Sequence, residues 1–178
     1  MMLIDSVLEH LDLEQIETNL FRGIPGTLGS SRVFGGQVIG QALIAALRTI
    51  EGRPCHSLHG YFLRPGDPSI PIIYEVDRIR DGKSFTTRRV IAIQKGEAIF
   101  NMSASFQIFE DGLSHQIGMP DVPLPGDLPG EEEMFEKRKK DMTPEMIAMM
   151  KKDRPVEMKR VEDIDYLNPV KSDPVQHI

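Results

Sequence analysis

The chain has 178 residues, 40% of them hydrophobic, with 27 acidic against 21 basic residues and a net charge of −6. That length fits one ordinary domain plus a tail, and the apolar fraction supports a folded core. The acidic balance argues against nucleic acid as a main partner, no apolar run reaches membrane-spanning length, no basic-then-apolar leader opens the chain, and the lone Cys55 permits no internal disulfide and fits a reducing, cytoplasmic compartment.

Leu3, Ile4, Val7, Leu8 and Leu11 recur at helical spacing and predict a helix over 3–13. Ile16 to Arg22 alternates weakly, as a first strand would, and Gly23-Ile24-Pro25-Gly26 with Gly29-Ser30-Ser31 reads as a loop. The segment Gly35 to Ile50 is apolar almost all round, which predicts a helix buried on most sides. At ~1.5 Å per residue it would run about 24 Å, a good filling for one wrapped sheet. Its two opening glycines leave the first free N–H groups unshielded, so a carbonyl oxygen or an anion could be held there. Equally, Gly35-Gly36 could serve only as a tight turn into a buried helix.

Beyond Glu51-Gly52 the period changes to two. His56 to Arg64 reads as a strand with His59, Tyr61 and Leu63 on one face and Leu58, Gly60 and Phe62 on the other. Pro71 to Arg80 and Ser84 to Gln94 read as strands joined at Asp81-Gly82, a strong hairpin signal. After Lys95-Gly96, Glu97 to Phe109 alternates, with Ala98, Phe100, Met102, Ala104, Phe106 and Ile108 inward. One buried helix followed by three or more hairpin-linked strands is an α+β layout with an antiparallel sheet.

The tail has another character. Pro120, Pro123, Pro125 and Pro129 suggest an extended linker, and Glu131-Glu132-Glu133 opens a charged segment. Thr143-Pro144-Glu145 is a helix start, and Met146, Ile147, Met149 and Met150 follow it. Val156 to Val161 reads as a strand, and the closing Pro-Val-Gln-His-Ile looks like the opening of a further extended element, so more sequence is expected after Ile178. The chain thus divides into 1–110, 111–155 and 156–178.

Candidate chemistry is sparse. Between Gly35 and Ile50 there is no Asp, Glu or His; the polar positions are Gln37, Gln41, Arg48 and Thr49. An amide can orient water or a carbonyl but cannot act as a general base. His56 and His59 have the right pKa range for a base, and both also fit as strand residues bonded to their neighbours. Arg64, Arg88 and Arg89 could meet phosphates, or could be solvated or paired with Asp77 and Glu75. Asp67 follows a Pro-Gly turn and Cys55 opens a strand; both read as structural. No Cys/His cluster has metal-binding spacing.

Val33-Phe34-Gly35-Gly36-Gln37-Val38-x-Gly40-Gln41-Ala42 is followed by His56-Ser57-Leu58-His59-x-Tyr61-Phe62-Leu63-Arg64-Pro65-Gly66-Asp67. Arg80-Asp81-Gly82-x-Ser84-Phe85-x-x-Arg88-Arg89-Val90 and Met102-x-Ala104-Ser105-Phe106-Gln107 complete the run. From about Leu13 to Val170 these residues resemble the N-terminal half of acyl-CoA thioesterase II. The resemblance implies a hotdog fold, a long central helix wrapped by a curved antiparallel sheet, as half of a double hotdog. It implies hydrolysis of fatty acyl-CoA to free fatty acid and CoA without a cofactor. Substrate contacts would fall at Gly35, Gly36, Gln37 and Arg64. The family's catalytic Asp, Thr or Ser, and Gln lie in its C-terminal repeat, which this numbering would place beyond Ile178. Within 1–178 only His56 and His59 stand as catalytic candidates, a strand histidine near the place of His56 having been considered in that family. Single-hotdog thioesterases carry an acid on or beside the helix, which is missing here. Two functions are therefore expected: half of a thioesterase that needs its second repeat, or a non-catalytic acyl-CoA-binding or dimerisation module. Either would pair into a homo-oligomer through sheet edges. A hotdog hydratase would need an Asp and a His together near the helix start, and that pair is missing.

Overall fold

The computed structural model describes residues 3–25, 32–150, 157–162, 164–165 and 169–178. It divides into two compact units, Met1–Gly112 and Leu113–Ile178.

The first unit runs α1 (Leu3–Leu11), β1 (Glu14–Glu17), β2 (Leu20–Gly23), α2 (Gly35–Leu47), β3 (Cys55–Phe62), β4 (Ile72–Asp81), β5 (Phe85–Gln94) and β6 (Glu97–Gln107). The strands form one antiparallel sheet in the order β1-β2-β4-β5-β6-β3. The expected first strand is a hairpin instead. Thr18 and Asn19 turn the chain, because the Glu17 carboxylate accepts from the Thr18 N–H at 2.8 Å and from its hydroxyl at 2.9 Å. The β5–β6 turn is Lys95-Gly96, and both residues have positive φ, 51° and 78°, as a twist-matched two-residue hairpin requires. The loop between β4 and β5 is one residue longer than Asp81-Gly82 suggests. It takes in Gly82 to Ser84 and closes through the Gly82 N–H to the Phe85 carbonyl at 2.8 Å.

Helix α2 lies on one face of this sheet. Val38, Gln41, Ala42, Ala45 and Ala46 are its buried residues, the i, i+3, i+4, i+7, i+8 stripe of a helix. They meet Phe21, Tyr74, Val76, Val90, Ala92, Phe100, Met102 and Phe106, all within one hydrophobic core. Ile39, Leu43, Ile44 and Leu47 are only partly buried against it. Burial on most sides is thus not what this chain provides; one face is buried fully, and the remainder is half-buried apart from exposed Gly36. On β6 the inward alternation holds through Phe106, but Ile108, one residue past the strand's end at Gln107, is 36% exposed, although its N–H still bonds the Ser84 carbonyl at 3.2 Å.

One buried polar group sits in the middle of that apolar face. The Gln41 amide is wholly buried, donates to the His10 carbonyl at 2.5 Å and the Ile24 carbonyl at 3.1 Å, and accepts from the Tyr74 hydroxyl at 2.7 Å. It ties α1, the chain before α2, and β4 to the helix. Burial pushes the Tyr74 pKa up, so that hydroxyl remains a donor.

Arg88, on β5, is the largest fully buried side chain. Its five N–H groups are spent on the Thr49 hydroxyl and carbonyl, the Arg80 and Thr87 carbonyls, and the Asp81 carboxylate at 2.7 Å. It therefore fixes Thr49, just past the C-terminal end of α2, where a cation suits the helix dipole. The Arg88 hydrogen bond holds the Asp81 carboxyl below its ordinary pKa.

In the second unit, α3 (Glu131–Arg138) is a helix where only a charged segment was expected. Three acids in its first turn and Lys137 and Arg138 in its last complement the dipole, which compensates for few apolar residues. Then α4 (Pro144–Met150) starts as predicted, with the Met146 N–H on the Thr143 hydroxyl at 3.3 Å. Residues 157–162 are not a strand; Val156 lies outside the described residues. This stretch is held by side chains: Glu157 accepts from the Glu131 N–H at 3.4 Å, Lys159 donates to the Pro125 carbonyl at 3.0 Å, and Glu162 meets the His177 ring at 2.6 Å.

Replacing Tyr74 by Phe leaves the buried Gln41 carbonyl oxygen without its donor. The expected cost is about 1–2 kcal/mol, to be measured as a lower urea midpoint with an unchanged slope.

Candidate active site at the start of the central helix

Phe34 precedes α2 and supplies no side-chain cap. Its carbonyl accepts from the Gln37 N–H at 3.1 Å and the Val38 N–H at 3.3 Å. Among the described residues nothing accepts from the Gly35 and Gly36 N–H groups. Two adjacent donors at a helix start, reinforced by the dipole, are what a carbonyl oxygen gaining negative charge requires.

Aromatic rings flank these donors. A Cβ on Gly35 would stand 2.9 Å from the Phe62 ring, and one on Gly36 would stand 2.5 Å from the Phe34 ring. Phe62 also lies against buried Phe100, ring centroids 4.9 Å apart. Phe34 is 58% and Phe62 55% exposed, unusual for side chains of this size. The helix start therefore offers two amide donors beside apolar walls. Sequence reasoning passed over both rings; their signal was an aromatic next to the glycine pair and another at the inward end of β3.

Gln37 donates to the Ile24 carbonyl at 2.9 Å, which Gln41 also holds from one helical turn further on. Of the other expected substrate contacts, Arg64 donates to the Ala98 carbonyl at 2.7 Å and lies 3.6 Å from Glu97. It is engaged with the start of β6.

The two histidines stand elsewhere. A bulge between Cys55 and Ser57 on β3 adds one residue, and that residue is His56. The bulge turns its ring to Ser105, 2.8 Å from Nε2, on the sheet face opposite α2. His59 pairs with Ser103 on that same face and packs edge-on against Tyr61. Neither is brought to the glycine pair. Strict alternation would have put His56 with Leu58 on the inner face; the bulge decides otherwise. Cys55 is half-buried, with its thiol on the Ser57 carbonyl at 3.5 Å. Asp67 is turn chemistry: the Ser69 hydroxyl and N–H and the Lys95 ammonium hold its carboxyl well below the usual range. Arg89 pairs with Asp77 at 2.8 Å.

Residues 24–107 match the family described as the acyl-CoA thioesterase N-terminal domain. Acyl-CoA thioesterase 2 of Haemophilus influenzae is 40% identical over 167 residues, 93% of this chain and 57% of that protein. Acyl-coenzyme A thioesterase 8 of Mus musculus is 46% identical over 137 residues, 74% of this chain and 42% of that protein. Among solved structures, an acyl-CoA thioesterase II of Mycobacterium marinum superposes with a TM-score of 0.63 at 52% identity, over 70% of this chain and 46% of that one. A hotdog-fold protein of unknown function from Alicyclobacillus acidocaldarius gives 0.62 at 25% identity. The chain thus spans about half the length of the relatives it matches. Its first unit is a hotdog fold.

The glycines of the site differ in what they tolerate. Gly36→Ala meets only the far end of the exposed Phe34 side chain and gains helix propensity, so melting temperature should hold or rise slightly. A Cβ on Gly60 would stand 2.8 Å from the Asn101 carbonyl oxygen and 2.6 Å from the Phe100 ring. Gly60→Ala should therefore cost about 1–3 kcal/mol, read from the same melting curves.

Proposed function

Because residues 24–107 belong to the acyl-CoA thioesterase N-terminal domain family, we propose that this chain is the N-terminal repeat of an enzyme that hydrolyses fatty acyl-CoA to free fatty acid and CoA. The observation that carries the reading is the pair of free N–H groups at Gly35 and Gly36 beside Phe34 and Phe62. In thioester hydrolysis water adds to the thioester carbon and the carbonyl oxygen takes up negative charge. Donors placed at that oxygen lower the barrier, while a base must remove the proton of the attacking water. The apolar rings suit the acyl portion, and the glycine amides suit the oxygen.

The base is the missing half. No carboxylate or imidazole lies on α2, and His56 and His59 face away from its start. We assign the proton acceptor to a second hotdog repeat, with residues 1–110 as the first repeat, 111–155 as the connection and 156–178 as the beginning of the second. Gly35, Gly36, Gln37 and Arg64 are the proposed substrate-binding residues, no cofactor is invoked, and the cytoplasm is the proposed compartment. In a thiol-release assay with a fatty acyl-CoA, residues 1–178 alone should turn over little substrate, and the two-repeat protein should be active. Silence of the two-repeat protein would remove the thioesterase reading. Full activity of 1–178 would put the base inside this chain.

A second reading concerns assembly. Strand β3 is an edge strand of eight residues, and Leu58, Tyr61 and Phe62 are 41%, 61% and 55% exposed. Long apolar edges pair with another strand. As an isolated piece the chain would act as a dimerisation module through this edge, β3 against β3 of a second copy. Light scattering on a sizing column should return twice the chain mass at tens of micromolar. A monomer at that concentration would refute the pairing.

A further inference from the structure

We propose that a cleft at the C-terminal end of α2 binds the phosphate or diphosphate group of a phosphorylated ligand. The inference does not depend on the thioesterase reading. The cleft lies at the opposite end of the helix from the glycine pair, about 20 Å away for 13 residues at ~1.5 Å each. Its volume is about 420 Å³, within the usual span of small-ligand sites, roughly 300–1,000 Å³.

Four arginines line it, Arg48, Arg53, Arg78 and Arg88, against two acids, Glu51 and Asp81. This local excess of positive charge stands out in a chain of net charge −6. The arginines are not equivalent. Arg88 is spent: all its donors are used, and its charge faces Asp81 and the Thr49 carbonyl just past the helix. Arg48 leans on Asp12 and the Leu13 carbonyl. Arg53 bonds only neutral groups, the Gly82 and Lys83 carbonyls and the Thr86 hydroxyl, so its charge stays uncompensated while its position is fixed. Arg78 makes one hydrogen bond, from Nε to the Asn19 side chain at 2.8 Å. Of its five N–H groups, four remain for a ligand. The helix end contributes roughly half a negative charge, which is set against Arg53 and Arg78 together with Glu51. With Arg88 set against Asp81 and Arg48 against Asp12, Arg53 and Arg78 still outweigh Glu51 and that half charge together. A guanidinium held by neutral carbonyls beside one with a free fork suits a tetrahedral phosphate, which accepts paired N–H donors.

Two sources share this chemistry: the nucleotide end of a coenzyme A thioester, and a free nucleoside diphosphate. Titration calorimetry of residues 1–178 with sodium pyrophosphate, in about 20 mM salt to limit screening, should give saturable one-site binding. Arg78→Gln should weaken it at least about fivefold, and Arg78→Lys should recover part of the loss because the charge returns without the fork. Melting curves of both variants should match the parent, since Arg78 is exposed and leaves only Asn19 behind. Titration with CoA and with ADP then separates the sources. Tighter binding of CoA would indicate the thioester's nucleotide end, and equal binding a free nucleotide. No saturable pyrophosphate binding, or equal affinity in parent and Arg78→Gln, would overturn the inference. The thiol-release result on the two-repeat protein would be untouched by that failure.

Discussion

The first unit depends on how closely one helix can approach one sheet. Ala42, Ala45 and Ala46 put almost nothing between the α2 backbone and the inner row of strands, so Phe100, Phe106, Tyr74 and Met102 can fill the space around the helix. Interiors pack at crystal-like density, and a stripe of small residues facing large ones is one way of reaching it. The approach also explains why the polar group on that stripe must be satisfied. Gln41 sits where water cannot reach, and its partners on α1, on β4 and before α2 are what make its burial tolerable.

The same helix has chemically opposite ends. At its start two glycines carry free amide donors beside exposed Phe34 and Phe62. Just past its finish Arg88 holds the Thr49 hydroxyl and carbonyl, and other arginines crowd around a cleft. Amide donors attract negative charge and carbonyls repel it. An anion could therefore be received at the second end only because arginine side chains reverse the sign that the backbone sets there.

Much of this was legible residue by residue. The switch from helical to two-residue periodicity after Glu51 marked where the run of long strands begins, and Lys95-Gly96 located a turn, both of whose residues take positive φ in the structure. The Thr143 cap marked the start of α4. What went unread depended on one-residue offsets and on charge. The bulge at His56 breaks the alternation on which face assignments rest, and nothing in the local residue types announces it. The β1–β2 turn was hidden because Thr18-Asn19 lacks the glycine or proline that usually signals one. Helix α3 was missed because its order follows from charges matched to its dipole, with no apolar stripe to count.

By itself the sequence determined the α+β layout, the apolar helix followed by hairpin-linked strands, the absence of any acid or histidine on that helix, and the family to which the motif run points. These are properties of residue type and spacing, which local sterics and hydrophobicity translate directly. Only the tertiary structure decided that His56 and His59 face away from the glycine pair, that Phe62 returns from a distant strand to lie over Gly35, and that Arg88 is buried against Thr49. Each of these relations joins residues far apart in the chain. Strand register and side-chain packing set such distances, and no local pattern encodes them.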